Sequence, residues 1–184
     1  MRRLFWQISV TLDGFMEGPG RELDDTARIT DPDFDRYASA MLQSIDDIVL
    51  GRVTYQLFAA HWPNASGPDA ERLNALPKLV FSSTLSRVDW NNSRLAGADV
   101  VGEITDLKRQ PGRDIALFGS AGLAATLGRY NLIDEYRVLV SPVVLGQGNP
   151  MFRRPHPRTP LKLIKAETWS SGTVAMFFSR GQPS

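Results

Sequence analysis

Residues 115–123, Ile-Ala-Leu-Phe-Gly-Ser-Ala-Gly-Leu, are an apolar run that ends in the glycine pair Gly119 and Gly122 and opens directly onto a helical pattern. A buried strand delivers backbone N–H groups to an anion in this way. Glycine lets the main chain approach without a Cβ between, and the next helix presents unpaired N–H donors and the positive end of its dipole. A tight strand-to-helix turn with no ligand uses the same residue types, so other segments must decide between the two.

Short apolar runs alternate with helical patterns along the chain, which predicts a layered α/β domain around a largely parallel sheet. Residues 4–12 read as the first strand, ended by Asp13-Gly14. Residues 15–30 hold Gly18-Pro19-Gly20 and several charges and read as one long loop, a length typical of functional lids. Asp31 is placed to cap a helix and Pro32 suits its first turn; Phe34, Tyr37, Ala38, Met41, Leu42 and Ile45 follow as its apolar face. Residues 48–50 form a short buried strand running into Gly51-Arg52-Val53-Thr54-Tyr55. Tyr55, Phe58 and Ala59 continue as a helix that Pro63 stops by Trp62, with His61 suited to its C-terminal end.

Residues 64–68 read as loop, residues 78–81 as a strand ending at Ser82-Ser83-Thr84, and Val100-Val101 as a short strand with a brief helix after it. Leu123, Leu127 and Tyr130 mark the helix that follows Phe118, and residues 136–140 give a further strand broken by Ser141-Pro142. Residues 161–168 and 174–179, joined at Ser170-Ser171-Gly172, predict a C-terminal antiparallel hairpin.

Composition narrows the function classes. A chain of 184 residues, 42% hydrophobic and 22% charged, can bury one sizeable core, and residues 1–184 read as a single domain. With 21 basic against 20 acidic side chains the net charge is +1, which argues against a surface built to track nucleic acid or an anionic membrane. The absence of cysteine removes disulfides and thiolate metal sites, and His61 and His156 stand far apart, so no metal is expected. Met1-Arg2-Arg3 begins like a signal peptide, but Gln7 and Asp13 break the apolar run; a cytoplasmic protein is expected.

Leu50-Gly51-Arg52, Phe81-Ser82-Ser83 and Phe118-Gly119-Ser120 each put Gly or Ser at the carboxyl end of a buried strand, the edge where open α/β sheets bind ligands. Arg52 suits a phosphate clamp because a guanidinium offers two parallel N–H donors, and Ser82 and Ser83 add hydroxyls beside it. A surface arginine and ordinary turn serines would look the same one at a time.

The order of these motifs resembles a family. Asp13-Gly14 after the first strand, Gly51-Arg52-Val53-Thr54-Tyr55, Ser82-Ser83, Gly119-Ser120-Ala121-Gly122-Leu123 with Leu132-Ile133-Asp134-Glu135 downstream, and residues 142–148 are similar to the dihydrofolate reductase-like superfamily. Within it they most resemble the reductase domain at the carboxyl end of bifunctional riboflavin-biosynthesis proteins (the RibD C-terminal domain). That resemblance implies a three-layer α/β/α fold with a mostly parallel mixed central sheet, NADPH at the carboxyl ends of the strands, and a homodimer. By the same resemblance Gly51, Arg52 and Thr54 would hold the cofactor's phosphates, Ser82 and Ser83 its adenosine 2′-phosphate, and Gly119, Ser120, Ala121, Gly122 and Leu123 its pyrophosphate. The implied function is reduction of a small heterocycle, a pteridine or pyrimidine, by hydride transfer; a nucleotide- or partner-binding module that kept the fold without turnover is the alternative. Dihydrofolate reductases carry two consecutive glycines where this chain has Gly119-Ser120, which places it nearer the riboflavin-type branch.

Hydride transfer needs an acid near the acceptor, and a carboxylate is the usual candidate. Glu22, Asp24, Asp25, Asp31, Asp33 and Asp35 crowd the lid and the first helical turn. At about 100° per residue Asp35 falls on the flank of the apolar face near Leu42, and Asp33 lies farther round on the other side. Asp35 is the expected catalytic residue, with a solvated aspartate favourable to the helix dipole as the bland reading. Gln7 and Ser9 alternate along the first strand and so share a face; with Phe118 they are expected to border the substrate pocket. Trp6, Trp62, Trp90 and Trp169 read as packing residues.

Overall fold

Eight strands join in one sheet in the computed structural model, which describes residues 1–20, 31–152 and 158–181. Strands β1 (Leu4–Thr11), β3 (Ile45–Gly51), β4 (Lys78–Phe81), β5 (Ser93–Leu95), β6 (Asp114–Phe118) and β7 (Glu135–Ser141) pair in parallel with one another. The C-terminal β9 (Leu161–Thr168) and β10 (Val174–Arg180) form the expected hairpin, with β10 antiparallel to β7. The order β5-β4-β3-β6-β1-β7-β10-β9 leaves β5 and β9 as edges.

Side-chain alternation on β1 builds the layers. Leu4, Trp6, Ile8 and Val10 face one core shared with Ile104 and Leu107 of α4 (Val100–Arg109) and Ala121, Ala124 and Leu127 of α5 (Ala121–Arg129). Phe5 faces a second core with Met41 and Leu42 of α1 (Pro32–Gln43), Tyr55 of α2 (Arg52–His61) and Leu73 of α3 (Pro68–Ala75). The outcome is the expected three-layer α/β/α architecture. A separate two-stranded sheet pairs β2 (Phe15–Glu17) with β8 (Asn149–Pro150) over the carboxyl end of the main one. No helix among the described residues is long and apolar enough to cross a membrane.

Several local expectations are corrected. Val100-Val101 open α4 rather than a strand, because Asp99 caps that helix by accepting a 2.9 Å bond from the Gly102 N–H, and Ile104 and Leu107 then fall on its buried face. Ile45 begins β3 instead of extending the apolar face of α1, which ends at Gln43. Pro68, read as loop, is the first residue of α3, a helix whose buried residues are Ala70 and Leu73 and whose apolar signal is correspondingly thin. Residues 15–17 are strand β2 rather than loop; residues 21–30 of the expected lid, with Glu22, Asp24 and Asp25, lie outside the described residues.

Candidate functional site

Beneath β2, the carboxyl ends of β1, β3, β4 and β6 open into one cleft of about 740 Å³, within the ordinary range for a bound cofactor or substrate. Its walls contain every residue expected at the site: Gln7, Ser9, Asp35, Gly51, Arg52, Thr54, Ser82, Ser83, Phe118, Gly119, Ser120, Ala121, Gly122 and Leu123. Tertiary structure therefore brings together strand ends that lie far apart in sequence.

The two helices that start at this cleft differ from the others. Asp31 caps α1 and Asp99 caps α4 with side-chain oxygens, and α3 carries Asp69 and Glu71 in its first turn. Helices α2 and α5 have neither a side-chain cap nor an acidic residue in the first turn. The first residues of both line the cleft, their N–H groups have no acceptor among the described residues, and both dipoles place positive charge there. Such an arrangement suits an anion.

Ser120 locks the two ends together. Its Oγ accepts a 2.8 Å bond from the Gly51 N–H and donates 3.0 Å to Thr54 Oγ1, which leaves the Thr54 proton to donate elsewhere. Gly119 and Ser120 both lie in the left-handed region, at φ 51° and 56°, so the chain turns sharply from β6 into α5. At Gly119 a Cβ would stand 3.0 Å from Thr54 Oγ1. The Trp6 indole donates 2.6 Å to the Gly119 carbonyl, so this tryptophan packs the core and holds the turn at once. Replacing Ser120 by Ala leaves the Gly51 N–H without its acceptor; unfolding in denaturant is expected to show a loss of about 1 kcal/mol, the low end for a half-buried donor.

The remaining groups sort by what they already touch. Arg52 donates 3.0 Å to Gln56 Oε1 and pairs with no carboxylate among the described residues, so its guanidinium is available at the cleft mouth. Ser82 Oγ accepts from the Thr84 and Leu85 N–H groups at 3.1 and 2.9 Å; it is a turn former as well as a wall residue. Asp31 and Asp33 are committed to the hairpin turn: Asp31 takes the hydroxyls of Ser170 and Ser171, while Asp33 accepts 2.8 Å from the Ser170 N–H, which holds its carboxyl below the usual range. Asp35 lines the cleft as an exposed residue, and its carboxylate has no hydrogen bond or ion pair among the described residues.

Sequence reasoning missed further cleft residues. Asp69 lines it and accepts 2.6 Å from Ser39, and Glu17 accepts 2.9 Å from Asn149 across β2 and β8. Trp62, read as packing, stands in the wall as well, set against Phe58 at 6.3 Å. Tyr37 is the larger omission. Its ring is held by Trp169 at 5.6 Å and Phe177 at 5.8 Å, and its hydroxyl donates to Gln7 Oε1. Burial pushes that phenol up to about 12, with nearby Arg137 pulling the other way. In the sequence Tyr37 is one more position on the apolar face, because helical spacing does not say which aromatic tip meets a polar strand. Among the described residues no three His, Asp or Glu side chains group as metal ligands.

The profile of the RibD C-terminal domain matches residues 2–175. This chain belongs to that family. The Bacillus subtilis uncharacterized protein YyaP is 36% identical over 182 residues, covering 96% of this chain and 94% of YyaP. Among solved structures, a pyrimidine reductase-like protein from Corynebacterium diphtheriae superposes with a TM-score of 0.70 at 10% identity, covering 99% of this chain and 93% of that one. Dihydrofolate reductase from Enterococcus faecalis, solved with NADP(H), gives 0.62 at 13% identity over 98% and 97% of the two chains. At these identities the structures speak for the fold, and it is the one RibD C-terminal domains share with dihydrofolate reductases.

Proposed function

We propose that this RibD C-terminal domain is an NADPH-dependent reductase of a small heterocycle, a pteridine or a pyrimidine. The observation that carries the reading is the convergence of two uncapped, acid-free helix N-termini on one cleft, joined by the Ser120 hydroxyl. Phosphate is the ligand such ends favour. The N–H groups of Ala121, Gly122 and Leu123 would bind the pyrophosphate, aided by the Thr54 hydroxyl, while Arg52 and Ser83 would meet the 2′-phosphate at the mouth. Ser120 serves this site chiefly from behind, since both its hydrogen-bonding roles are taken by Gly51 and Thr54.

The cofactor, when bound, supplies the hydride. The chain's own residues position the acceptor and deliver the proton. Gln7, Ser9 and Phe118 border the substrate, and Asp35, the cleft carboxylate without a partner among the described residues, orients or protonates it. The similarity in fold to a pyrimidine reductase-like protein and to a dihydrofolate reductase supports a flat nitrogen heterocycle in this position.

Titrating the protein into NADPH and following nicotinamide fluorescence tests the cofactor site, and loss of NADPH absorbance with pteridines and pyrimidines tests turnover. No change in fluorescence would remove the cofactor from the reading; binding without turnover on any ring would leave a nucleotide-binding module.

We also propose a homodimer. The edge strand β9 exposes Leu163 and Ile164 at 53% and 55%, and apolar sheet edges of this kind are normally covered. The hairpin of β9 and β10, or the loop 142–150 with Val144 exposed at 68%, would supply the contact. Sedimentation at micromolar concentration should show a species of twice 20.4 kDa, and a monomer would count against it.

A further inference from the structure

Gln7 lies on β1 directly opposite Arg137 of β7, and in a parallel pair in register both side chains rise from the same face of the sheet. Arg137 is fixed there. Its Nε donates 2.6 Å to Glu135, both side chains being about nine-tenths buried, and its guanidinium lies 3.6 Å from the centre of the Phe5 ring. Its positive charge opposes the burial that raises the Tyr37 phenol, which α1 brings over the same face of the sheet.

The bond between Tyr37 and Gln7 has one direction. The phenol is protonated at neutral pH, and its single hydrogen goes to Gln7 Oε1. The amide must therefore turn its Oε1 toward Tyr37, and the Nε2 hydrogens point away from it. No acceptor among the described residues takes them, and among those residues Ser93 Oγ is the buried polar side-chain atom without a partner, so Nε2 is open to the cleft that Gln7 lines.

We infer that Gln7 is a specificity-determining residue that presents an N–H donor to the substrate, held in that sense by Tyr37 as a positioning residue, so that the ring bound here carries a carbonyl oxygen against Gln7. This names the substrate class within the proposed reductase and rests on that reading for the reaction, though not for the binding. Amino-substituted rings that offer an N–H at the same place meet a donor facing a donor. Sites built around one hydrogen-bonding sense reject the opposite one strongly.

The test is ring preference, measured by calorimetry with pterin, which carries a 4-oxo group, and 2,4-diaminopteridine, its 4-amino counterpart, with and without NADPH present. The native protein is expected to bind the oxo ring at least about 10-fold more tightly. Gln7→Glu replaces the donor by an acceptor that Tyr37 still anchors, and should reverse the preference. Tyr37→Phe frees the amide to rotate and should bring the two affinities within about 3-fold of each other, while NADPH affinity stays as in the native protein. If Gln7→Glu fails to fold, the native and Tyr37→Phe measurements still decide. Equal binding, tighter binding of the amino ring or binding of neither ring by the native protein overturns the inference, as does an unchanged preference in Tyr37→Phe. Should NADPH itself fail to bind, the reductase reading falls, and the ring preference measured without nucleotide still decides the role of Gln7.

Discussion

Asp35→Asn is expected to lower turnover by about 10²–10⁴-fold while leaving NADPH affinity nearly unchanged, the range usual for loss of one positioned acid or base. The substitution keeps the shape of the side chain and removes its ionisable proton. Asp35 stands one helical turn into α1, in the cleft wall with Gln7, Ser9 and Phe118, and is committed to no partner among the described residues. Asp33→Asn is the control. Asp33 already serves the Ser170 N–H and the Arg36 guanidinium, so its loss should read as a small change in stability rather than in rate. Single-turnover measurements at saturating NADPH separate the two outcomes. A rate insensitive to both substitutions would mean that the proton reaches the substrate from water and that the cleft works by positioning.

Arg52→Ala should narrow the preference for NADPH over NADH by about 1–3 kcal/mol, that is about 5–150-fold, the value of a charge-assisted pair with phosphate. The reasoning is electrostatic. At the cleft mouth Arg52 donates to the neutral Gln56 amide and has no carboxylate to satisfy it among the described residues, so a dianionic 2′-phosphate would be its natural counterion. Competition between the two nucleotides, followed by nicotinamide fluorescence, measures the gap. Equal affinity of the native protein for NADPH and NADH would remove the 2′-phosphate from this assignment. The effect should weaken as salt is raised, because the contact lies at the mouth and is open to screening.

Much of the frame could be read directly from residue patterns. Strands β3 and β6 are buried on both faces and appear as unbroken apolar runs, Val49-Leu50 and Ile115 to Leu117, which no surface segment would carry. Helix α3 was invisible for the converse reason: Ala70 and Leu73 are the residues it buries, and Asp69, Glu71 and Arg72 dominate its pattern. Strand β5 spans only Ser93–Leu95, none of it fully buried, and exists because β4 offers a free edge of N–H and C=O groups. Val100-Val101 misled because two β-branched residues suggest a strand until Asp99 is seen to cap the turn they begin.

What the chain's own pattern determined was the strand, turn and helix at Leu50-Gly51-Arg52 and Phe118-Gly119-Ser120 and the strand and turn at Phe81-Ser82-Ser83, since Gly or Ser at a strand end and a following amphipathic run are local properties. The meeting of those three ends was decided by the sheet order, in which β6 runs between β3 and β1 so that Ser120 reaches Gly51. Likewise Asp31, Asp33 and Asp35 are alike by composition and neighbours by number. They part company because the Ser170-Ser171 turn of the C-terminal hairpin takes the first two and leaves the third to the cleft. The same holds for Gln7 and Tyr37: alternation along the first strand puts Gln7 at the pocket, but the hydrogen bond it makes acquires its direction only when donor and acceptor are brought from separate elements into contact.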